Sequence, residues 1–508
     1  MASKSNDSLV VGVDVGTGSL RTVLYNLAGE QVAEDRYALN NRFLAGGGVE
    51  QDALEWRAGL AKTFNTCRKK AGVKPGAIKA VGFDGTSGTV VPIDSQGFPL
   101  GPALLWMDTR SSGEADEINS TGDAILGFAG GRTSAEWVLA KILWLKRNFP
   151  EIYQQAWQFM EPPDYLSFLT SGEVASSYSN AVHKRHYAHS GGGWPVRLLD
   201  RIDLSSLMGK WPTRLCYPWE TVGQVTPAAA AEFGLPAGIP VVNGGNDGPI
   251  ALLGLGIIEP GNVCMTVGSS TCFLFLHHLP HAIPGFWGPY PDGVIPGCNL
   301  FDVGQVSTGS IIEWFKKLLF AGFGRSGNTS GFAELEIAAQ NLPPGAKGLS
   351  AFDAWQGNRT PHNDSRIRGA LWGLSLEHGP EHIYRAILEA TAFGARQIFE
   401  VMATHSLSAD KIIACGGGSR NPLWMQIYAD VLEHDITLTQ TSEAAALGSA
   451  IGGAVAAGLF PDIQSATTAM VKYSGSIAAG QDSFAPYAEA YQNYKKAYPC
   501  LKSLAESQ

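Results

Sequence analysis

The same short pattern occurs twice in this chain, about half a chain length apart. Residues 11–19 read VGVDVGTGS and residues 263–271 read VCMTVGSST. In each copy an apolar run typical of a β-strand reaches glycine and hydroxyl residues and then returns to apolar residues, which predicts a hairpin with a Gly/Ser/Thr turn at its tip. Because such a turn opens both halves of the chain, the pattern predicts a duplicated architecture with two facing loops suited to phosphate.

The length and composition fit a two-domain globular protein. A chain of 508 residues is too long for one hydrophobic core, and we predict domains at residues 8–254 and 255–480 with a helical tail at residues 481–508. Hydrophobic residues make up 45% and charged residues 16%, which is typical of an enzyme. The net charge of -9, without a long Lys/Arg run, argues against nucleic acid or an anionic membrane as partner.

Several features predict a cytoplasmic protein without a membrane span. The start, MASKSNDSLV, lacks the apolar core of a secretory signal. The longest uncharged apolar stretch, residues 444–460, is short for a bilayer, and its Ala and Gly predict a helix that packs closely on a sheet. The seven cysteines are odd in number and scattered without a CxxC motif, so we expect buried thiols rather than disulfides or a zinc site.

Three further predicted strands end in segments suited to ligands. Residues 80–83 lead into DGTS, residues 240–242 into NGGND and residues 412–415 into GGG. In open α/β sheets ligands collect at the carboxyl ends of strands, so we expect these ends to share a site. Helical periodicity predicts helices at residues 383–402 and 421–432 between these segments.

The first repeated turn is a candidate phosphate loop. Gly16 and Gly18 would let the backbone approach an anion, and Thr17 and Ser19 could donate hydrogen bonds to phosphate oxygens. Asp14 could hold Mg²⁺, directly or through water. Taken alone, the segment is explained equally well as an ordinary hairpin turn in which Asp14 bonds only to the tip.

Two glycine-containing turns in the second half have similar potential. Residues 268–271 (GSST) have the same two explanations, and the pairing with the first turn favours phosphate. Residues 416–421 (GGGSRN) follow a predicted strand and open a predicted helix, so a flat ring or a phosphate could lie against their backbone. A flexible crossover loop is the alternative, but three successive glycines cost chain entropy, which favours a ligand.

Other polar and aromatic residues near strand ends could bind a substrate. Asp247 could accept the proton of an alcohol that attacks a nucleotide phosphate, although a helix cap is the commoner role and the local sequence favours it. Asp84 and Ser87 could bond to substrate hydroxyls or form an Asx turn. Trp106 and Trp287 could wall a sugar site, but most tryptophans simply pack.

Three other features have simple structural interpretations. The histidines of VHKRHYAHS, within residues 182–190, lack a carboxylate neighbour, which disfavours a metal site. Asp108 and Asp430 are expected at the surface, solvated or salt-bridged. Residues 322–330, rich in Gly and Ser, predict a surface loop.

In this order and spacing, the motifs are similar to the FGGY family of carbohydrate kinases, in the sugar-kinase/actin-like ATPase superfamily. The resemblance covers about residues 9–475, nearly the whole chain. The matching segments are VGVDVGTGS, LLWMDTRS, PDYLSFLTSGE, GGNDG, TVGSST, GNRTPHNDSRIRGALWGL, EATAFGARQ, GGGSRNPLWMQIYADVL and EAAALGSAIGGAVAAG.

The resemblance implies an α/β fold of two RNase H-like (actin-like ATPase) domains with an interdomain active-site cleft. It implies that Asp247 is the catalytic base, which reverses the local preference, and that Asp164 caps the helix at Tyr165. The implied reaction transfers the γ-phosphoryl of ATP, with Mg²⁺, to a primary hydroxyl of a sugar or polyol. The expected ATP contacts are Gly16, Thr17, Gly18, Ser19, Gly268, Ser269, Ser270, Thr271, Gly309, Gly417, Gly418 and Asn421. The expected substrate contacts are Asp14, Asp84, Ser87, Trp106 and Asp247.

The resemblance also narrows the substrate. FDGTSGTVV, FWGPY and the GNR segment are more similar to D-ribulokinase and ribulokinase-like members. Xylulokinases usually have Met-His-Gly near the position of Asp84 and glycerol kinases Arg-Glu, and this chain has neither. We therefore expect a ketopentose, D-ribulose first, with another ketose, a polyol or a hydroxylated signalling molecule as alternatives. An actin-like nucleotide-dependent switch and a non-catalytic sugar-binding regulator stay open as other classes, and a homodimer is common in the family.

Overall fold

The computed structural model describes residues 8–322 and 329–506, which form two mixed β-sheets covered by helices. The strands of the first sheet are β1 (Leu9–Val15), β2 (Ser19–Asn26), β3 (Gln31–Ala38), β4 (Ile78–Gly85), β5 (Gly223–Gln224) and β6 (Pro240–Asn246). The strands of the second are β7 (Asn262–Val267), β8 (Thr271–His277), β9 (Trp287–Pro291), β10 (Asn299–Gln305), β11 (Lys411–Cys415), β12 (Ile436–Thr439) and β13 (Tyr473–Ile477).

The helices that matter for the site follow the same chain order. They are α1 (Ala53–Ala71), α2 (Pro162–Ser171), α3 (Tyr178–Lys184), α4 (Asp247–Gly254), α5 (Gly309–Gly322), α6 (Pro380–Thr404), α7 (Pro422–Leu432), α8 (Ala444–Ala456) and α9 (Phe484–Glu506). Other helices span Ser112–Ser120, Val138–Asn148, Pro150–Gln155, Val196–Arg201, Pro227–Phe233, Thr329–Gln340 and Ile463–Met470. Short strands outside the two sheets span Arg42–Leu44, Gly48–Gln51, Val91–Ile93, Ala103–Leu104, Gln158–Met160, Ser176–Ser177, Leu215–Cys216, Ser350–Phe352 and Ala370–Trp372.

The two sheets repeat one design, as the duplicated motif predicts. Their orders are β5-β6-β4-β1-β2-β3 and β9-β10-β8-β7-β11-β12-β13. In the first, β1 pairs antiparallel with β2 and parallel with β4, which in turn lies parallel to β6. In the second, β7 has the same relation to β8 and β11, and β12 continues it. Both predicted hairpins are confirmed, and the α/β architecture has two domains.

The two halves exchange one helix each. Helix α4 follows the first sheet in the chain, but its apolar side chains pack against β7, β8 and β11 of the second. Helix α8 follows the second sheet and packs against β1, β2 and β4 of the first. A Cβ atom at Gly12 would lie 1.9 Å from the backbone oxygen of Ala446, so sheet and helix are in backbone contact. The prediction of a closely packed helix at residues 444–460 is confirmed.

Some predictions about exposure need correction. Asp108 and Asp430 are buried, not at the surface: Asp108 pairs with Arg110 at 2.6 Å, and Asp430 accepts the N–H of Gly480 at 2.8 Å. Cys500 is exposed, contrary to the expectation of buried thiols, and Cys272 is half-buried, while the other five cysteines are buried. The loop predicted at residues 322–330 lies mostly outside the described residues. Within the described ranges, no helix has the length and apolarity that a bilayer crossing requires.

Candidate active site

Three aspartates meet at the carboxyl ends of parallel strands in the first sheet. Asp14 of β1 pairs in register with Asp84 of β4, and Asp84 pairs with Gly245 of β6. Asp247 follows β6 directly and begins α4. The structure therefore brings together three residues that the sequence predicts at strand ends, in the position where α/β sheets bind ligands.

Asp14 and Asp84 are neighbouring buried carboxyl groups whose pKa values are both raised. Burial raises the pKa of Asp84 well above its usual range, and the charge of Asp14 raises it further. Burial also raises the pKa of Asp14 to about 6, opposed mainly by the positive charge of Arg21. Within the described residues no protein donor reaches Oδ1 of either carboxyl group. A proton held on Asp84 and donated to Asp14 satisfies both, and a cation could replace it.

Asp247 opens its helix but does not act as the cap. The N-cap residue is Asn246, and Asp247 Oδ1 accepts the N–H of its neighbour Gly248 at 2.7 Å. The side chain is half-buried. Burial raises its pKa to about 7, and the charge of Asp14 adds to the rise. A carboxylate that binds its proton near neutral pH has the affinity that a general base needs.

Groups from elsewhere in the fold complete the aspartate cluster. Ser449 of α8 donates to Asp84 Oδ2 at 2.6 Å. Arg21, directly after the first turn, lies 3.9 Å from Asp14 Oδ2 and also pairs with Glu443, which precedes α8. The sequence predicts neither Arg21 nor Ser449 as a site residue. The position of Arg21 beside a glycine-hydroxyl turn is the signal that could have identified it.

The first predicted phosphate turn is rigidly held. The N–H of Gly16 donates to the carbonyl of Ser19 at 3.0 Å, which closes the hairpin. Thr17 is bonded from both sides: Gln51 donates to its carbonyl at 2.6 Å, and Trp106 Nε1 donates to its hydroxyl at 2.9 Å. Trp106 is 36% exposed, so its ring also presents a face to solvent beside the turn. This geometry is compatible with a phosphate-binding role for the turn and with a role for Trp106 as a wall of the sugar site.

The second turn is supported by the start of α5. Its residues are Gly268, Ser269, Ser270 and Thr271. The carbonyl of Gly268 accepts the N–H of Gly309 at 3.1 Å, and the buried Thr271 hydroxyl lies 2.9 Å from that of Thr308. A Cβ atom at Gly309 would lie 2.3 Å from the Gly268 oxygen. Gly309 thus contributes close backbone contact to the turn, while Gly268 and Ser269 are exposed.

The third turn combines an open backbone with a helix cap. Asn421 Oδ1 accepts the N–H of Trp424 at 3.0 Å and caps α7, while its amide donates to Glu336 at 2.7 Å. A Cβ atom at Gly418 would lie 2.4 Å from Val267, whereas one at Gly417 would have no neighbour within 4 Å. The surface of Gly417 is therefore open to a ligand and that of Gly418 is filled by protein.

Replacing Gly417 with Val tests this open surface. Because the Cβ atom of the new side chain would have no protein neighbour within 4 Å, we expect an unchanged thermal midpoint. A nucleotide lying on Gly417 would be displaced, which should raise the KM for ATP by about tenfold or more, or about 1.4 kcal/mol. Gly127→Val, at another position where a Cβ atom has no neighbour within 4 Å, is the matched control. An unchanged KM for ATP in Gly417→Val would remove this residue from the proposed ATP site.

A polar network between the two sheets was not predicted. His183 of α3 lies 3.4 Å from Ser87 Oγ through Nδ1 and 3.4 Å from Asp302 Oδ2 of β10 through Nε2. Asp302 also pairs with Arg359 at 2.7 Å. Lys184 follows His183 in α3, and its positive charge favours the ionised forms of both Asp247 and Asp302 by contributing a lowering of their pKa values. The network thus joins α3 of the first half to β10 of the second sheet, and the histidine-rich segment was the signal for it.

The contacts of Trp287 and Asp164 show the structural role of each residue. Trp287 packs on the buried ring of Trp137 at 5.1 Å between centroids. Asp164 is fully buried within α2 and does not cap that helix, so the predicted cap is wrong. It instead accepts hydrogen bonds from Ser176, Asn180, Arg185 and Asn243.

Comparisons with protein families match both halves. The N-terminal domain of the FGGY family of carbohydrate kinases matches residues 9–254, and the C-terminal domain of the same family matches residues 263–457. Among similar proteins, a ribulokinase of Geobacillus thermodenitrificans is 31% identical over 96% of this chain and 93% of its own length. A human FGGY carbohydrate kinase domain-containing protein is 29% identical over 98% and 96%.

Solved structures share the complete fold. Xylulose kinase from Rhodospirillum rubrum superposes with a TM-score of 0.86 at 25% identity, covering 98% of this chain and 100% of the other. Plasmodium falciparum glycerol kinase with ADP superposes with a TM-score of 0.83 at 18% identity, covering 97% and 98%. The second likeness concerns the fold alone.

Proposed function

This chain belongs to the FGGY family of carbohydrate kinases and is an ATP-dependent sugar kinase, and from that premise we propose that it phosphorylates a primary hydroxyl of a ketopentose, D-ribulose in particular. The position of Asp247 carries the proposal. Its half-buried carboxylate directly follows β6, at the sheet edge where Asp14 and Asp84 lie in register, and the charges of Asp14, Lys184 and Asp302 all act on its pKa. A sugar hydroxyl bound there would meet an acceptor for its proton.

In this mechanism the protein positions two substrates and removes one proton. Asp247 accepts the proton from the attacking hydroxyl while the sugar oxygen bonds to the γ-phosphorus and the bond to the ADP oxygen breaks. Ser87 and Trp106 hold the sugar, the fully buried Asp84 acts through its neighbour Asp14, and Lys184 and Asp302 offer a charged donor and an acceptor to the remaining hydroxyls. Alignment of the two reactants accounts for much of the rate.

The phosphates are held between the two hairpin turns. Thr17 and Ser19 on one side and Ser269 and Ser270 on the other supply hydroxyl and N–H donors. Arg21, 3.9 Å from Asp14, adds a positive charge beside the first turn. The ADP portion lies across Gly417 toward the start of α7, whose N-terminus favours negative charge.

Mg²⁺ fits the residues at Asp14. Its Oδ1 atom is buried and no protein group in the described part of the chain donates to it, so this oxygen is available to a cation. Those same residues contain no cluster of three His, Cys, Asp or Glu that could hold a metal alone. Mg²⁺ is commonly held by one or two carboxylates with phosphates and water, and when bound it would neutralise phosphate charge.

The pH dependence should report the ionisation of Asp247. Its folded pKa is raised to about 7 by burial, so the carboxylate that acts as base is protonated below this value. We expect kcat/KM for the sugar, measured at constant magnesium–ATP, to fall about tenfold per pH unit below pH 7 and to level off above it. A profile that stays flat from pH 5.5 to 8 would contradict this role.

A panel of acceptors tests the substrate. ADP release should be fastest with D-ribulose, compared with L-ribulose, D- and L-xylulose, ribitol, glycerol and no acceptor. The relatives named ribulokinase support ribulose, and the solved structure of a xylulose kinase makes D-xylulose the main competitor. A higher kcat/KM for D-xylulose or for a polyol would overturn the ribulose assignment, and ADP release independent of any acceptor would overturn the ketopentose proposal.

A further inference from the structure

Buried charged groups hold both peptide groups that flank Gly88, the residue after Ser87. The N–H of Gly88 donates to Glu161 Oε1 at 2.9 Å, and its carbonyl accepts from Lys141 Nζ at 2.8 Å. Lys141 and Glu161 have no exposed surface. The φ angle of Gly88 is +81°, and a Cβ atom there would lie 2.6 Å from the carbonyl oxygen of Glu136. The Ser87-Gly88 turn therefore has little freedom to move.

Lys141 connects this turn to the segment that carries Trp106. Its side chain rises from helix Val138–Asn148 and donates to the carbonyls of Gly88, Leu105 and Glu136. An ammonium group has three N–H donors, and here each one has an acceptor. Since Leu105 directly precedes Trp106, one cation fixes two predicted substrate contacts on separate segments.

Glu161 connects the same turn to the candidate base. Its Oε2 atom pairs at 2.8 Å with Arg185, which also pairs with Asp164. Asp164 accepts from the amide of Asn243 at 2.8 Å, and Asn243 Oδ1 accepts the N–H of Gly245 at 3.0 Å, two residues before Asp247. Hydrogen bonds and one ion pair thus connect the Ser87 turn to the segment that immediately precedes Asp247.

We propose that Lys141 and Glu161 are positioning residues that hold the Ser87 turn and the Trp106 segment in the geometry that binds the sugar. Both are fully buried, so they act through the backbone rather than by touching substrate. Buried ions cost desolvation free energy that an apolar pair of similar volume avoids. Their role here is geometric, because together they fix the backbone N–H and the backbone carbonyl of Gly88. This inference rests on the proposed function for its kinetic test.

Lys141→Met removes the three donors while keeping a long apolar side chain. The matched control is Lys210→Met, because Lys210 also donates to two backbone carbonyls of the same domain, those of Gln154 and Ala156, away from the site. We expect Lys141→Met to raise the KM for the sugar about tenfold or more, with the KM for ATP within about twofold. In hydrogen exchange, the Gly88 amide should exchange faster than in the wild type in Lys141→Met. In Lys210→Met its exchange rate should equal that of the wild type.

A second pair of variants keeps the test independent of whether Lys141→Met folds. Glu161→Gln retains an acceptor for the Gly88 N–H, whereas Glu161→Leu removes it. Faster Gly88 exchange and a higher sugar KM in the Leu variant than in the Gln variant support the proposal. Equal values in that pair, or a Lys141→Met enzyme that matches Lys210→Met, overturn it.

The two proposals fail in different ways. If the wild-type protein phosphorylates no ketopentose, the proposed function fails, and the positioning role is then decided by Gly88 exchange alone. If the wild type phosphorylates a ketopentose but the Lys141 and Glu161 variants show native exchange and native sugar KM, only the positioning role fails.

Discussion

Asp247→Asn is expected to lower kcat for sugar phosphorylation by about a thousandfold, within the range of general-base effects. The amide has the same shape, and its oxygen can still accept the N–H of Gly248, so the start of α4 should be preserved. What it cannot do is accept a proton from the sugar. ATP binding, which uses other residues, should persist. The measurement is ADP release with and without sugar, alongside calorimetric titration with ATP.

Asp430→Asn is the matched control for this variant. Asp430 is also a buried carboxylate, but it bonds to Gln426 and Gly480 in the second domain and lies outside the proposed site. It should keep kcat within about twofold, as expected for a change remote from the chemistry. Sugar-dependent turnover at the wild-type rate in Asp247→Asn would refute the base assignment, and loss of ATP binding would show that the change acts on the fold instead.

The parts of the site that could be predicted from sequence lie in contiguous residues. Each hairpin turn has its glycines and hydroxyls within a few positions of an apolar run, and local chemistry dictates such a turn. The three aspartates were predicted because each lies at the end of an apolar strand-like run, and parallel strands bring their carboxyl ends to one edge. The turn at Gly417 follows the same rule.

The parts that were missed depend on contacts between distant segments. His183 meets Asp302, the partner of Arg359, only when α3 of the first half packs against the second sheet. Asp108 and Asp164 are buried because the folded protein supplies partners for their charges. Their residue types alone suggested a surface charge for Asp108 and a helix cap for Asp164. Burial of a charged residue depends on its partners, and the partners are visible only in three dimensions.

The helix exchange between the halves was foreseen only in part. The Ala and Gly content of residues 444–460 predicts close packing on a sheet, but no local signal says that α8 leaves its own sheet for the first one. The consequence for the site is direct, because α8 brings Ser449 to Asp84 and its preceding residue Glu443 to Arg21. The geometry of the proposed site therefore depends on the position of α8 on the first sheet.

Gly12→Ala is expected to lower the free energy of unfolding by about 3 kcal/mol, at the upper end for overpacking by one methyl group. The new Cβ atom would lie 1.9 Å from the backbone oxygen of Ala446. A backbone carbonyl cannot relieve this clash by changing a side-chain rotamer. Helix α8 must then move away from β1. That motion should withdraw Ser449 from Asp84, so activity should fall together with stability.

Gly113→Ala is the control for Gly12→Ala, because it also adds a methyl group but creates no steric clash. Gly113 lies in helix Ser112–Ser120, and a Cβ atom there has no neighbour within 4 Å, so the change should stabilise slightly, by up to about 1 kcal/mol. Urea unfolding of both variants gives the free energies, and ADP release gives the activities. A Gly12→Ala protein with the wild-type unfolding midpoint would show that α8 can shift freely on the sheet. Because Asp84 receives its bond from α8, retention of full activity alongside lost stability would instead show that catalysis tolerates a displaced Ser449.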